Sequence, residues 1–385
     1  MKYGEFALIV VVLLVNVAIF ALWYTIPLIF SNLLDYNYAL VSVLLAVIPA
    51  VEIIGSIPIG FYVDHGRAKG IGAVGTLFLI LTPITFVIFS GISLIAMIFL
   101  GIGSITTEIS LEAYIFNVIK KVKIKYIGIV YGLAGLGGLI GATAGGFLFQ
   151  YYDIWYLLAF ISTLLLLALA LFIKYLQPLN TSSTKKRRYT YKILKEERSL
   201  YKKFRHFLTG LSIFSFVFGF FEWGVWLLVP LIITIRSADI FYGGIIYGVI
   251  CLPFGFGSLL ASRVYKRNNK RRIIMSSVGL SVIVMLSTSL LLGFSAYILI
   301  LLLFASLSIS IAYLALSGYI LEKDRKDIAE FYVFETISYD AGGFVGILIA
   351  GFTVIATSIT AVSIIFSVIA IAFLAYFSII SKDVR

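Results

Sequence analysis

Glu108 and Glu112 stand four residues apart in an otherwise apolar stretch, so a helix there carries both carboxylates on one face. Two carboxylates that close repel one another as anions, and removal from water disfavours charge as well, which suits the pair to holding a proton at neutral pH. Glu222, Asp340 and Glu52 lie in similar surroundings, Asp340 among glycines and Glu52 between Pro49 and Gly55. Glu335 falls nearer the end of its stretch, where an interfacial position is expected. No lysine or arginine lies deep in any of these stretches. A charge at the centre of a bilayer costs at least about 2.5–3.5 kcal/mol, so each acid needs a proton, a partner or water. The acids are therefore candidates for proton exchange or for holding a cation. The alternative is permanently protonated acids hydrogen-bonded to neighbours such as Ser104, Thr106 and Thr107.

Other chemistry is poorly provided for. The single cysteine, Cys251, excludes a disulfide within one chain, and two histidines, His65 and His206, offer no metal-site spacing. No metal and no cofactor is expected. An enzyme needs a nucleophile and base in reach of one another, and ATP-driven work needs a Gly-Lys-Ser/Thr phosphate loop; neither pattern is present. Trp23, Tyr24, Trp223 and Trp226 offer aromatic faces on which a lipophilic cation could sit, although Trp and Tyr also gather at membrane interfaces for other reasons. Organic anions are disfavoured, because nothing cationic waits for them.

The elements that must carry these residues are membrane helices. The chain is 61% hydrophobic and only 12% charged, about half the charged share of a soluble protein. A hydrocarbon core about 30 Å thick takes about 20 apolar residues to cross. Twelve spans are expected, at 6–30, 39–63, 71–90, 92–119, 127–149 and 154–176, then 207–235, 241–264, 273–292, 296–321, 334–356 and 359–381. The first is longer than a signal-peptide core and lacks a small-residue cleavage site, so it reads as helix 1. With the N-terminus inside, all of the thirty lysines and arginines except Arg236 fall on the cytoplasmic side. By the positive-inside rule both termini are cytoplasmic. The net charge of +12 is then a signature of topology and not of nucleic-acid binding. Residues 177–205, with Lys185-Lys186-Arg187-Arg188, read as a basic cytoplasmic linker between a bundle at 1–176 and another at 206–385.

The two bundles echo each other. Trp23, Pro27 and Ile29 correspond to Trp226, Pro230 and Ile232, an offset of 203; Asp35, Tyr38 and Pro49 correspond to Asp239, Tyr242 and Pro253, an offset of 204. Gly137, Gly138, Gly141, Gly146 and Phe147 correspond to Gly342, Gly343, Gly346, Gly351 and Phe352, an offset of 205. A slowly drifting offset across three blocks points to duplication of a six-helix unit in parallel orientation, with a substrate site between the halves.

This organisation resembles the major facilitator superfamily over essentially the whole chain. In that family the loop after helix 2 reads G-x-x-x-D-R-x-G-R-R/K. Here Gly60 and Asp64 match in register, His65 replaces arginine, and Gly66 and Arg67 come one residue early. The resemblance implies a gating latch, with Asp64 facing the positive N-terminal end of helix 11. Helix 4 keeps Gly101 and Gly103 of an R-x-x-x-G-x-G pattern but has Met97 in place of arginine. Helix 5 supplies Gly128, Gly137, Gly141, Gly145 and Gly146 at the glycine positions of the antiporter-branch pattern, with Ala142 where proline is expected. Such a seam allows close helix approach, and plain packing is the competing explanation.

The resemblance implies an all-α fold of two six-helix bundles in the cell membrane, a monomer working by alternating access. Helices 1, 4, 7 and 10 would line its cavity. The expected function is secondary active transport, first as proton-coupled efflux of hydrophobic or cationic molecules and second as uptake or facilitated passage of a neutral solute such as a sugar. The partners are then the lipid bilayer, a small-molecule substrate and protons.

Overall fold

In the computed structural model the described residues are 3–33, 37–88, 93–119, 125–176, 208–224, 226–227, 230, 239–264, 270–289, 296–323, 328–356 and 359–380. All of their regular structure is helical. The helices are α1 (Tyr3–Leu28), α2 (Tyr38–Tyr62), α3 (Ala68–Ile88), α4 (Ser93–Ile119), α5 (Lys125–Tyr151) and α6 (Ile154–Tyr175). They continue with α7 (Leu208–Gly224), α8 (Ile240–Val264), α9 (Lys270–Ser289), α10 (Ala296–Lys323), α11 (Ile328–Ala356) and α12 (Ile359–Ile380).

Helices prevail because a bilayer offers no hydrogen-bond partner to the backbone. Among the described residues seven helices, α1 to α6 and α8, are long and apolar enough to cross a membrane. Shorter apolar stretches run Leu208–Gly224, Ile300–Tyr313 and Ser363–Ile379. The chain is a multi-pass membrane protein. Arg236 and the basic linker lie outside the described residues, as does most of the link from α7 to α8. α11 starts at Ile328, six residues before the expected 334, so Glu335 stands two turns inside a helix and not at its edge.

Within the first half α1 packs on α5 and α6, α3 on α4 and α6, and α2 on α4; in the second half α10 packs on α8 and α9, and α9 on α12. The halves meet along α5–α8 and α2–α11. Glycine makes these approaches possible. A Cβ on Gly141 would strike the Val17 carbonyl of α1, and one on Gly346 would strike the Phe220 carbonyl of α7. One on Gly138 would reach the Phe20 ring, and one on Gly343 the Trp223 ring. These paired contacts obey the repeat offsets read from the sequence, 203 between α1 and α7 and 205 between α5 and α11. At these two pairs of positions the repeat read from the residue types is matched by the contacts they make.

The link from α2 to α3 is a π-helical turn, Val63–Arg67, in which Gly66 has φ 82°, a conformation that costs any side-chain-bearing residue. Gly60 is buried, and the Arg67 guanidinium lies 5.6 Å from the centroid of the Tyr62 ring. The side chain of Asp64 is outside what the structure describes, and so is the expected approach of that residue to α11.

Candidate functional site

One cavity of about 220 Å³ lies between the halves, walled by α1, α2, α4, α5, α7, α8, α10 and α11. The five acids singled out in the sequence, Glu52, Glu108, Glu112, Glu222 and Asp340, all line it, and Glu335 is a sixth. Among the described residues, no lysine, arginine or histidine lines it. The helices expected to contribute, α1, α4, α7 and α10, do so, and α2, α5, α8 and α11 add to them.

The acids differ in setting. Glu108 is exposed to the cavity space, Glu112 and Glu222 are half-buried, and Glu52, Glu335 and Asp340 are buried. Glu222 accepts a hydrogen bond of 2.5 Å from the Tyr339 hydroxyl, which joins α7 to α11. Glu52 has the Ser104 hydroxyl and the Asp340 carboxyl as side-chain partners, so α2 and α11 meet acid to acid. Two carboxyl groups can hydrogen-bond only if one of them carries a proton, because two carboxylates offer no donor. Glu112 accepts from Tyr131 of α5. Asp340 Oδ2 and both oxygens of Glu335 are buried without a hydrogen-bond partner.

Of the hydroxyls considered as partners for the acids, only Ser104 serves one. Thr106 donates back to the Ile102 carbonyl of its own helix, and Thr107, which lines the cavity, has no partner.

The aromatic residues occupy one end of the cavity. Trp23 and Trp223 meet edge to face at 4.2 Å between centroids, Trp223 and Trp226 lie 5.6 Å apart, and Phe20 meets Trp226 at 5.4 Å. Trp23 and Trp223 are buried against each other, which leaves Trp226 as the more open ring. The Trp223 indole N–H has no acceptor. Tyr24 is placed differently from expectation: it does not line the cavity but lies in the α5–α8 seam, 5.4 Å from the Tyr247 ring, with its hydroxyl donating to the Ile240 carbonyl at 2.5 Å.

Beyond the tryptophans the halves close on each other. The Phe241 amide donates to Gln150 Oε1 at 2.6 Å, fastening the first turn of α8 to the end of α5. A Cβ on Gly146 would press on the Ile240 carbonyl and Gly244, and one on Gly351 would strike Ser42 in the second turn of α2. Of the helix 5 glycines, Gly137, Gly141 and Gly145 face α1 and Gly146 faces α8; Gly128 is buried. Packing is a sufficient reason for that pattern.

Sequence reasoning passed over Tyr131, Tyr313 and Tyr339, and it placed Glu335 at the interface. The available signal was spacing: Glu335 and Tyr339 are four apart and so share a helix face. Tyrosine is common enough in membrane helices that this spacing did not stand out.

A helical membrane protein with an acid-lined cavity between two repeated halves is a solute carrier in architecture. Residues 7–332 match the Major Facilitator Superfamily model, and the chain belongs to that family. It is accordingly a transporter and not an enzyme. Among solved structures it is similar to the human organic anion transporter MFSD10 (TETRAN), at TM-score 0.68 and 12% identity, with 98% of this chain and 99% of that one covered. It is also similar to a point mutant of the nucleoside transporter NupG, at TM-score 0.72 and 12% identity, with the same two coverages. At that identity the likeness is one of fold. No curated protein is matched by the sequence.

Proposed function

We propose that the chain is a twelve-span, proton-coupled carrier of two six-helix bundles whose cavity takes a solute without negative charge. The observation that carries this reading is the lining: six carboxyl groups and, among the described residues, no cationic side chain. The positive-inside count puts both termini in the cytoplasm, and the end sealed by Tyr24, Gln150 and the tryptophans then faces outward.

For the solute, a neutral polar molecule taken up together with protons ranks first. Buried polar atoms normally find partners. Here the Trp223 N–H is an unused donor at one end of the cavity, and Asp340 Oδ2 and Glu335 are unused acceptors elsewhere in its wall. A solute bearing both hydroxyl or amide donors and carbonyl or ring acceptors satisfies both sets, as a sugar or nucleoside would. That a nucleoside transporter shares the fold is in keeping with this choice. Efflux of a lipophilic cation in exchange for protons is the second reading, favoured by the uncompensated acids themselves. The glycine pattern that suggested it is accounted for by contact with α1 and α8.

In either case Glu108 and Glu112 of α4 and Glu222 of α7 exchange protons, with Glu52 and Asp340 tying α2 to α11. Solute and proton shift the equilibrium between outward and inward states only through their differential affinity for each. The test uses proteoliposomes loaded with a pH-sensitive dye and offered a nucleoside, a hexose or tetraphenylphosphonium under an imposed pH gradient. Proton entry with nucleoside or hexose, abolished in Glu112→Gln, is expected. Proton exit driven by tetraphenylphosphonium would establish the second reading instead, and solute flux in Glu112→Gln with unchanged proton coupling would remove Glu112 from the mechanism.

A further inference from the structure

The early start of α11 carries Glu335 into the cavity wall, 3% exposed, with neither carboxylate oxygen hydrogen-bonded. Its neighbour is Tyr313 of α10. Tyr313 also faces Tyr131 of α5, their rings 5.9 Å apart at 80° with the hydroxyls in contact. Tyr131 in turn reaches Glu112 of α4. Glu112, Tyr131, Tyr313 and Glu335 thus form a row that runs from the first half of the chain to the second. Each phenol has one proton to give. With Tyr131 donating to Glu112, the single proton of Tyr313 faces two acceptors, Tyr131 and Glu335, and the geometry leaves both Glu335 oxygens short of a full hydrogen bond. Glu108, exposed to the cavity one helical turn from Glu112, stands at the entrance of the row.

We propose that Glu335 is a proton site in its own right, filled from Glu112 through the hydroxyls of Tyr131 and Tyr313. This rests on the proton-coupled reading above. In the step, the two phenols first turn so that protonated Glu112 donates to Tyr131, Tyr131 to Tyr313 and Tyr313 to Glu335, and the O–H bond of Glu112 then breaks as its proton passes to the Tyr131 oxygen. The proton that Tyr131 held moves to the Tyr313 oxygen, and the proton of Tyr313 forms a new O–H bond on Glu335. Glu112 is left as a carboxylate and Glu335 as a neutral acid. Both phenols end neutral with their hydrogen bonds reversed, so one proton has crossed between the halves.

The row conducts only while Tyr131 and Tyr313 touch. A rearrangement that parts α5 from α10 at this level strands the proton on Glu335, and this ties proton transfer to the conformational change. Glu108 and Glu112 on α4 and Tyr131 on α5 also face Glu335, Tyr339 stands one turn along its own helix, and none of the described residues lining the cavity is cationic.

The test is infrared difference spectroscopy of the purified protein in lipid nanodiscs after a pH jump, reading the carbonyl band of protonated carboxyl groups. Wild type is expected to show a component that Glu335→Gln removes. In Tyr131→Phe and Tyr313→Phe, which keep the ring and the packing, that component should appear about a hundredfold more slowly while the Glu112 component keeps its rate. Absence of any component removed by Glu335→Gln, or its appearance at an unchanged rate in both phenylalanine variants, overturns the proposal. A melting temperature matching wild type separates the loss of a relay from misfolding. The measurement needs no solute, so it stands apart from the liposome assay: proton-independent transport there would bring down the coupled reading while the band still reports on Glu335.

Discussion

Toward the C-terminal ends of α1 and α5 the two halves close with rings, glycines and backbone, whereas along α4, α10 and the first turns of α11 they meet through carboxyl and phenol groups. Trp23 against Trp223, the Tyr24 hydroxyl on the Ile240 carbonyl and the Phe241 amide on Gln150 join the halves without a carboxyl group, and Asp239 beside them accepts from the Tyr242 amide of α8. The other region has Glu112, Tyr131, Tyr313 and Glu335 crossing the same boundary. Ring packing and neutral hydrogen bonds are indifferent to protons; a contact made of acids changes with each proton gained or lost. On the proton-coupled reading proposed above, closing one end firmly and sensing protons at the other gives a carrier reason to divide the work in this way.

The largest effect that would break the comparison is expected at the seal. Trp223→Ala removes a buried indole from its cluster with Phe20, Trp23 and Trp226. It should cost about 3–5 kcal/mol, read as a fall in melting temperature and as faster alkylation of Cys251. Cys251 is the chain's one cysteine and is buried in the cavity wall. An unchanged melting temperature would mean that the tryptophans do not hold this end.

Tyr24→Phe keeps the ring and deletes only the bond to Ile240, a net loss of about 1 kcal/mol. If that bond helps to hold the seal, Cys251 should react about fivefold faster with a thiol reagent added from the sealed side. No change would assign the closure to glycine packing alone.

The smallest effect is expected among the acids. Glu52→Gln replaces the carboxyl that meets Asp340 with an amide that still has a donor and an acceptor, so stability should shift by less than about 1 kcal/mol. The dependence of transport on pH should change nonetheless. A large loss of stability in Glu52→Gln would make this pair a structural fastening and weaken the division drawn here.

Much of this is legible in the residue types alone. The period of apolar stretches and the excess of lysine and arginine in alternate loops follow from what a bilayer tolerates, so they mark membrane helices directly in the residue types. The repeat was legible for the same reason: Gly141 and Gly346 are glycines because each lies against a neighbouring backbone, and equal geometry keeps equal residues. The five acids stood out because charge is costly in lipid.

What the chain did not disclose is where side chains of ordinary cost end up. Tyr24 and Trp23 are adjacent, yet one fastens the α5–α8 seam and the other walls the cavity, a difference set by rotation about α1. Tyr131 and Tyr313 lie far apart in sequence and meet only because α5 and α10 both pack on α8. Glu335 changed meaning because α11 begins earlier than its hydropathy suggests. Residue types decided that this chain crosses the membrane many times and carries acids into it. Only the tertiary structure decided which of those acids share a wall, because that depends on how helices distant in sequence rotate and pack.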